Sequence, residues 1–133
     1  MLYLLDTNIV SYLMEGNKKV AQNLTNCLAN GNTLKIPDIV YYEVQRGLLY
    51  NNSKQLQELF DLVCNYYGVL HTSNSDLYIA AQQYATLKHS GKLIEDDDIL
   101  IGSLAIGNKA VLVTNNTQHL SRLQDIVIEN WTE

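Results

Sequence analysis

Residues 1–8, Met1-Leu2-Tyr3-Leu4-Leu5-Asp6-Thr7-Asn8, set an almost unbroken apolar run against a carboxylate and two side chains suited to helix capping. An apolar run without polar alternation is what a strand buried on both faces requires, and such strands belong to parallel sheets covered by helices. The polar residues that follow predict a helix beginning near Ile9, with Thr7 or Asn8 as its cap. Asp6 then falls just past the carboxyl end of a buried strand, where open parallel sheets gather their ligands.

The pattern repeats along the chain. Gly16 ends the first helix, and Asn17 caps a second in which Val20, Leu24, Cys27 and Leu28 recur at helical spacing before Gly31. A short strand over 34–36 meets Pro37 and Asp38, which favour ending a strand and opening a helix through Val40, Tyr41 and Val44, with Glu43 one turn inside it. Ser53 opens a helix through Leu56, Leu59, Phe60, Leu62 and Val63, residues 67–70 read as a strand, and residues 75–89 as a helix ended by Gly91. The acidic run Glu95-Asp96-Asp97-Asp98 leads into an apolar helix ending at Gly107-Asn108, its aspartates complementing the helix macrodipole. Residues 110–113 form the clearest later strand, and Thr114-Asn115-Asn116 repeats the strand-to-polar turn of Asp6-Thr7-Asn8. A short helix follows, and residues 126–128 add a last strand. Strands alternating with helices, without hairpin signals, imply right-handed crossovers. The expected class is α/β: a three-layer α/β/α sandwich with a central, mainly parallel sheet, and residues 1–133 forming a single domain.

At 133 residues and 47% hydrophobic content, the chain has enough apolar material for a real core. A net charge of −5 opposes nonspecific coating of nucleic acid, which depends on neutralising many phosphates, but it leaves room for a nucleic-acid enzyme with a local acidic centre. Cys27 and Cys64 form neither a disulfide framework nor a zinc motif. The longest apolar runs fall far short of the roughly 20 residues that span a bilayer, and no basic-then-apolar leader is present, so a cytoplasmic protein without membrane association is expected.

Asp6, Glu43 and Asp98 each sit where an apolar run meets a helix. Sharing one site would set them against each other, at roughly 4 kcal/mol for a pair about 4 Å apart at an effective dielectric of 20. A raised pKa on one acid would offset that, as would a divalent cation. Three acids favour the cation, and oxygen ligands suit Mg²⁺, or Mn²⁺, better than zinc. Each acid taken alone is more simply a helix cap or a solvated helix residue; the joint pattern is what points to chemistry.

That pattern has a known counterpart. The segments LLDTNIVSYL, YYEVQRGL, DDDILIGSLAIGNKAVLVTNN and IENW, in this order and spacing, resemble the PIN-domain ribonucleases, specifically the VapC-type toxins of toxin–antitoxin pairs, over nearly the whole chain. The resemblance carries the family's first acid onto Asp6, its helix-borne Glu followed four residues later by Gly onto Glu43 and Gly47, and its third acid onto Asp98. Asp98 is preferred to Asp97 by the register of Asp98-Ile99-Leu100-Ile101-Gly102, and Asp96 matches an accompanying acid. Many relatives carry a fourth acid where this chain has Asn116, a neutral amide that accepts or ligates without contributing charge.

What the resemblance implies is Mg²⁺-dependent hydrolysis of RNA phosphodiesters, in transfer or ribosomal RNA. Asp6 and Asp98 would hold the metal, Glu43 would reach it through water or orient the nucleophile, and Asn116 with Thr114 would position water or phosphate. It also implies a homodimer and a small VapB-type antitoxin, whose arginine is able to bridge the acids in place of the metal. Lys18, Lys19 and Arg46 are candidate phosphate contacts, though long cations are normally just solvated. The tyrosine pairs Tyr41-Tyr42 and Tyr66-Tyr67 suit base stacking or, more ordinarily, a core edge. His71, His89 and His119 lack metal-ligand spacing. The alternatives are a PIN nuclease of RNA maturation or decay, an inactive binding relative, and a Mg²⁺-binding phosphoacceptor domain; the last would need a lysine after a late strand, which is missing.

Overall fold

The computed structural model describes residues 1–133. Its centre is a sheet of five parallel strands, β1 (Leu2–Leu5), β2 (Thr33–Pro37), β3 (Val69–Leu70), β4 (Val111–Val113) and β5 (Ile128–Glu129), in the order β3-β2-β1-β4-β5. The helices are α1 (Thr7–Met14), α2 (Lys18–Ala29), α3 (Asp38–Tyr50), α4 (Lys54–Tyr67), α5 (Asn74–His89), α6 (Asp96–Gly107) and α7 (Thr117–Leu120). The chain steps from β1 to β2 to β3 in one direction and then returns to place β4 on the other side of β1. With right-handed crossovers, that reversal sends α5 and α6 to the face opposite α1–α4. It also opens a crevice at the carboxyl ends of β1 and β4, where the strand order changes direction.

Burial explains why the central strands read as unbroken apolar runs. Leu4, Leu5, Leu34, Ile36, Leu112 and Val113 are all shielded and join one continuous core with Ile9 and Val10 of α1 and Ile101 and Leu104 of α6. Trp131 holds the C-terminal segment down: it is buried, its ring lies 6.1 Å from that of Tyr3, and its indole N–H donates to Glu129 at 3.1 Å. No helix is long and apolar enough to cross a membrane.

Several boundaries differ from the sequence reading by a residue or two, and three of the differences have a local cause. Asp6 itself caps α1, so Thr7 is already helical. Tyr67 belongs to α4, because the turn comes at Gly68, whose φ of 89° suits glycine and whose N–H closes on Cys64 at 2.8 Å. The last strand begins at Ile128, because β4 is only three residues long and pairs with it from Leu112 onward.

Candidate active site

Register places the first two site residues side by side. Leu5 pairs with Val113, so the next residues, Asp6 and Thr114, leave neighbouring strands together, and the Asp6 N–H donates to the Val113 carbonyl at 2.9 Å. Asp6 is only 4% exposed. Its carboxylate accepts from the Thr7 amide at 2.8 Å, the Thr114 hydroxyl at 2.7 Å and the Asn8 side-chain amide at 3.2 Å. Thr114 Oγ1 in turn accepts from the Asn116 amide at 2.9 Å, and Asn8 Oδ1 from the Asn115 amide at 3.1 Å. The two similar strand-to-polar turns thus interlock.

α3 and α6 complete the cluster. Thr7 Oγ1 donates to Glu43 Oε1 at 2.7 Å, which points Glu43 back at the end of β1; its side chain is 13% exposed. Asn116 Nδ2 donates to Asp98 Oδ2 at 3.2 Å, tying the turn after β4 to the first turn of α6. Asp97 accepts from the Asp98 amide at 3.0 Å, and it lines a groove with Glu43 and Arg46 between α6 and α3. Asp6, Glu43, Asp98, Thr114 and Asn116 are therefore brought together, whereas Asp96 is exposed outside the cluster. Lys18 and Lys19 are exposed at the start of α2. Arg46 is the cation beside the acids, 3.9 Å from Glu43 with its guanidinium 5.2 Å over Tyr42. Glu43 separates two grooves, one of about 330 Å³ past Thr7, Ser11 and Gly47 and one of about 390 Å³ past Tyr42, Arg46, Glu95 and Asp97.

Sequence reasoning missed Asp97 and Thr7. Asp97 is hidden within a run of aspartates that reads as solvated, and the family register selects only Asp98. The sequence presents Thr7 as a candidate cap, whereas in the structure its hydroxyl donates to Glu43.

The electrostatics are those of crowded like charges. Burial raises the Asp6 pKa, against the hydrogen bonds from Thr114, Thr7 and Asn8 that favour its charged form. Burial, followed by the hydrogen bond with Asp97, carries Glu43 up to about 7. Burial, followed by repulsion from Asp97, Asp6 and Glu95, carries Asp98 up to about 6, with nearby His119 pulling the other way. As they stand, no three His, Cys, Asp or Glu groups close into a finished cation cage. The linkage consequence is opposite to ordinary acid denaturation. Acids whose folded pKa is raised contribute stability that is complete below their unfolded pKa near 4 and is lost as pH rises through about 6 to 7. In EDTA, the protein should melt several degrees higher at pH 5 than at pH 7.5 by calorimetry; a melting temperature that rises with pH would contradict this.

The chain is similar to known proteins along nearly its whole length. The model of the PIN domain family matches residues 3–126. The chain is 33% identical to Ribonuclease VapC2 of Rickettsia felis, over 98% of each protein, and 29% identical to Ribonuclease VapC1 of Haemophilus influenzae, over the full length of both. Among solved structures, it superposes on VapBC2 of Rickettsia felis bound to a promoter DNA fragment with a TM-score of 0.91, at 32% identity over 98% of this chain and 99% of that one. VapBC-1 of nontypeable Haemophilus influenzae gives 0.88 at 30% identity over the whole of both chains. FitAcB of Neisseria gonorrhoeae, at 19% identity and a TM-score of 0.82 over 98% of this chain and 99% of that one, shares the fold. A family match across most of the chain, joined to near-full-length relatives at this level of identity, means that the chain belongs to the PIN domain family, within its VapC ribonuclease group.

Proposed function

We propose that the protein is a divalent-cation-dependent endoribonuclease, with Mg²⁺ as the working ion and structured RNA, transfer or ribosomal, as its substrate. It acts as the toxin of a pair held in check by a small VapB-type antitoxin. The observation that carries this reading is the convergence of Asp6, Glu43 and Asp98 from three separate elements onto the switch-point crevice, where hydrogen bonds from Thr114, Thr7 and Asn116 aim them inward.

The donor set fits such an ion. It is all oxygen, it is crowded enough that burial and repulsion raise the acids, and it lacks the His and Cys ligands that zinc prefers. Asp6 and Asp98 would hold the cation, and Glu43 would reach it from α3. When bound, the cation supplies a Lewis acid for the phosphoryl oxygen and lowers the pKa of water. The chain's own residues do the positioning. Thr114 fixes Asp6, Asn116 fixes Asp98, and Glu43 is set by Thr7 to accept the proton of an attacking water. Arg46, beside Glu43 and exposed, is placed to meet a phosphate of the incoming strand. Exposed apolar side chains on α3 and α4, among them Leu49, Tyr50, Leu62 and Tyr66, offer a face for self-association or for the antitoxin.

The test is 5′-end sequencing of total cellular RNA incubated with the purified, antitoxin-free chain in Mg²⁺ and in EDTA. New ends at a small number of sites, dependent on Mg²⁺ and suppressed by antitoxin, are expected. A pattern identical with and without EDTA would overturn the metal-dependent reading.

A further inference from the structure

Asp97 lies outside the pattern of acids on which the family resemblance rests, yet its placement sets it apart from the rest of the aspartate run. Glu95 and Asp96 are exposed, while Asp97 and Asp98 are half-buried. Successive helical residues point about 100° apart, so adjacent aspartates in the first turn of α6 reach different sides of one crevice. Asp98 faces the turn after β4, where Asn116 holds it. Asp97 faces α3 and lines one groove there with Glu43, Tyr42 and Arg46. Its Oδ1 is engaged by the Asp98 amide, a capping role that leaves the carboxylate with acceptor capacity for another partner. Asn116 directs its NH₂ group at Asp98, so it supports a ligand and adds no negative oxygen of its own. The groove past Tyr42, Arg46 and Glu95 gives the Glu43–Asp97 pair an opening to solvent.

We propose that Asp97 supplies the fourth carboxylate of the cation site, ligating from α6 with Glu43, across from Asp6 and Asp98. It thereby restores the charge that Asn116 withholds, from a different element and on the opposite side of the crevice. This inference rests on the divalent-cation reading above. Four carboxylates, from the end of β1 and from α3 and α6, would then hold the cation, with Asp97 and Glu43 supplying negative charge from the side of the groove they share.

The experiment measures free Mn²⁺ by electron paramagnetic resonance during titration of the purified chain and of Asp97→Asn, Asp96→Asn and Asp98→Asn. Melting in EDTA confirms that each variant is folded, and Asp97→Asn keeps a side-chain oxygen for the Asp98 amide. Asp97→Asn should weaken Mn²⁺ binding on the order of tenfold or more, the range seen when groups supporting a metal site are lost. Asp96→Asn removes the same charge from the same helix end and should leave affinity nearly unchanged. Equal affinity for Asp97→Asn and the unaltered chain overturns the proposal, as does an equal loss for Asp96→Asn, which would reduce the effect to the field of the helix terminus. Asp98→Asn separates the two readings. Weakened binding there with normal binding for Asp97→Asn leaves the cation site standing without Asp97, whereas an unaltered chain that takes up no Mn²⁺ removes the cation reading and this inference with it.

Discussion

Asp98→Asn should abolish RNA cleavage while making the protein harder to unfold. The substitution keeps the shape of the side chain and an oxygen able to accept from Asn116, so the crevice retains its geometry. What disappears is a negative oxygen where a cation and a developing phosphorane charge need it. Metal assistance is worth several kcal/mol at the transition state, and each 1.36 kcal/mol is tenfold in rate, so a loss on the order of 10³-fold or more is expected. The stability change has the other sign. Asp98 is held up to about 6, by burial first and then by Asp97, Asp6 and Glu95, so at neutral pH the metal-free fold carries an acid that is charged against its surroundings. Removing that charge should stabilise the metal-free protein by about 1 kcal/mol after allowance for solvent screening, since the side chain is half-exposed. Urea denaturation in EDTA at pH 7.5 reads the second effect, and single-turnover cleavage of an end-labelled RNA reads the first. Loss of activity together with loss of stability would mean that Asp98 serves the fold instead of the chemistry, and the assignment of its role would fall.

That trade between stability and site chemistry also explains which parts of the molecule were legible in the sequence. The central strands were, because burial on both faces leaves no polar alternation in Leu2–Leu5 or Val111–Val113, and the crevice follows from where those strands end. Asp6 and Asp98 were legible for the same reason: each stands at the junction of an apolar run and a helix. Glu43 was marked by the same kind of junction, although a glutamate one turn inside a helix is ordinarily solvated; in the structure Thr7 turns it inward. Asp97 was not legible. Its neighbours Asp96 and Glu95 are solvated as acidic runs usually are, and only the approach of α3 to the start of α6 distinguishes it. Local chemistry also settled the boundaries that propensity placed differently. The aromatic Tyr67 suits a strand, yet a positive φ at Gly68 keeps it in the helix.

Thr114→Val tests the hydroxyl on which Asp6 depends. Thr114 is fully buried, donates to Asp6 at 2.7 Å and accepts from the Asn116 amide at 2.9 Å, so one oxygen positions a carboxylate from β1 and the turn that presents Asn116 to Asp98. Valine matches the volume, takes from Asp6 one of its three donors and leaves the Asn116 amide without its acceptor. Hydrogen bonds to charged groups contribute about 1.5–3 kcal/mol, so a loss of about 2–3 kcal/mol is expected in urea denaturation. Asp6 also loses the hydrogen bond that most favours its charged form, and its pKa, already raised by burial, climbs further. The acid limb of the cleavage–pH profile should therefore move to higher pH, and the Mg²⁺ concentration for half-maximal cleavage should rise on the order of tenfold, as when a group orienting a metal ligand is removed. Thr114→Ser decides the cause, because it restores the hydroxyl and drops only the methyl. Rescue of the pH profile and the cation requirement by serine, with valine impaired in both, assigns the effect to the hydrogen bond. Equal impairment of the two would assign it to packing beneath β4, and Asp6 would then be held by Thr7 and Asn8 alone.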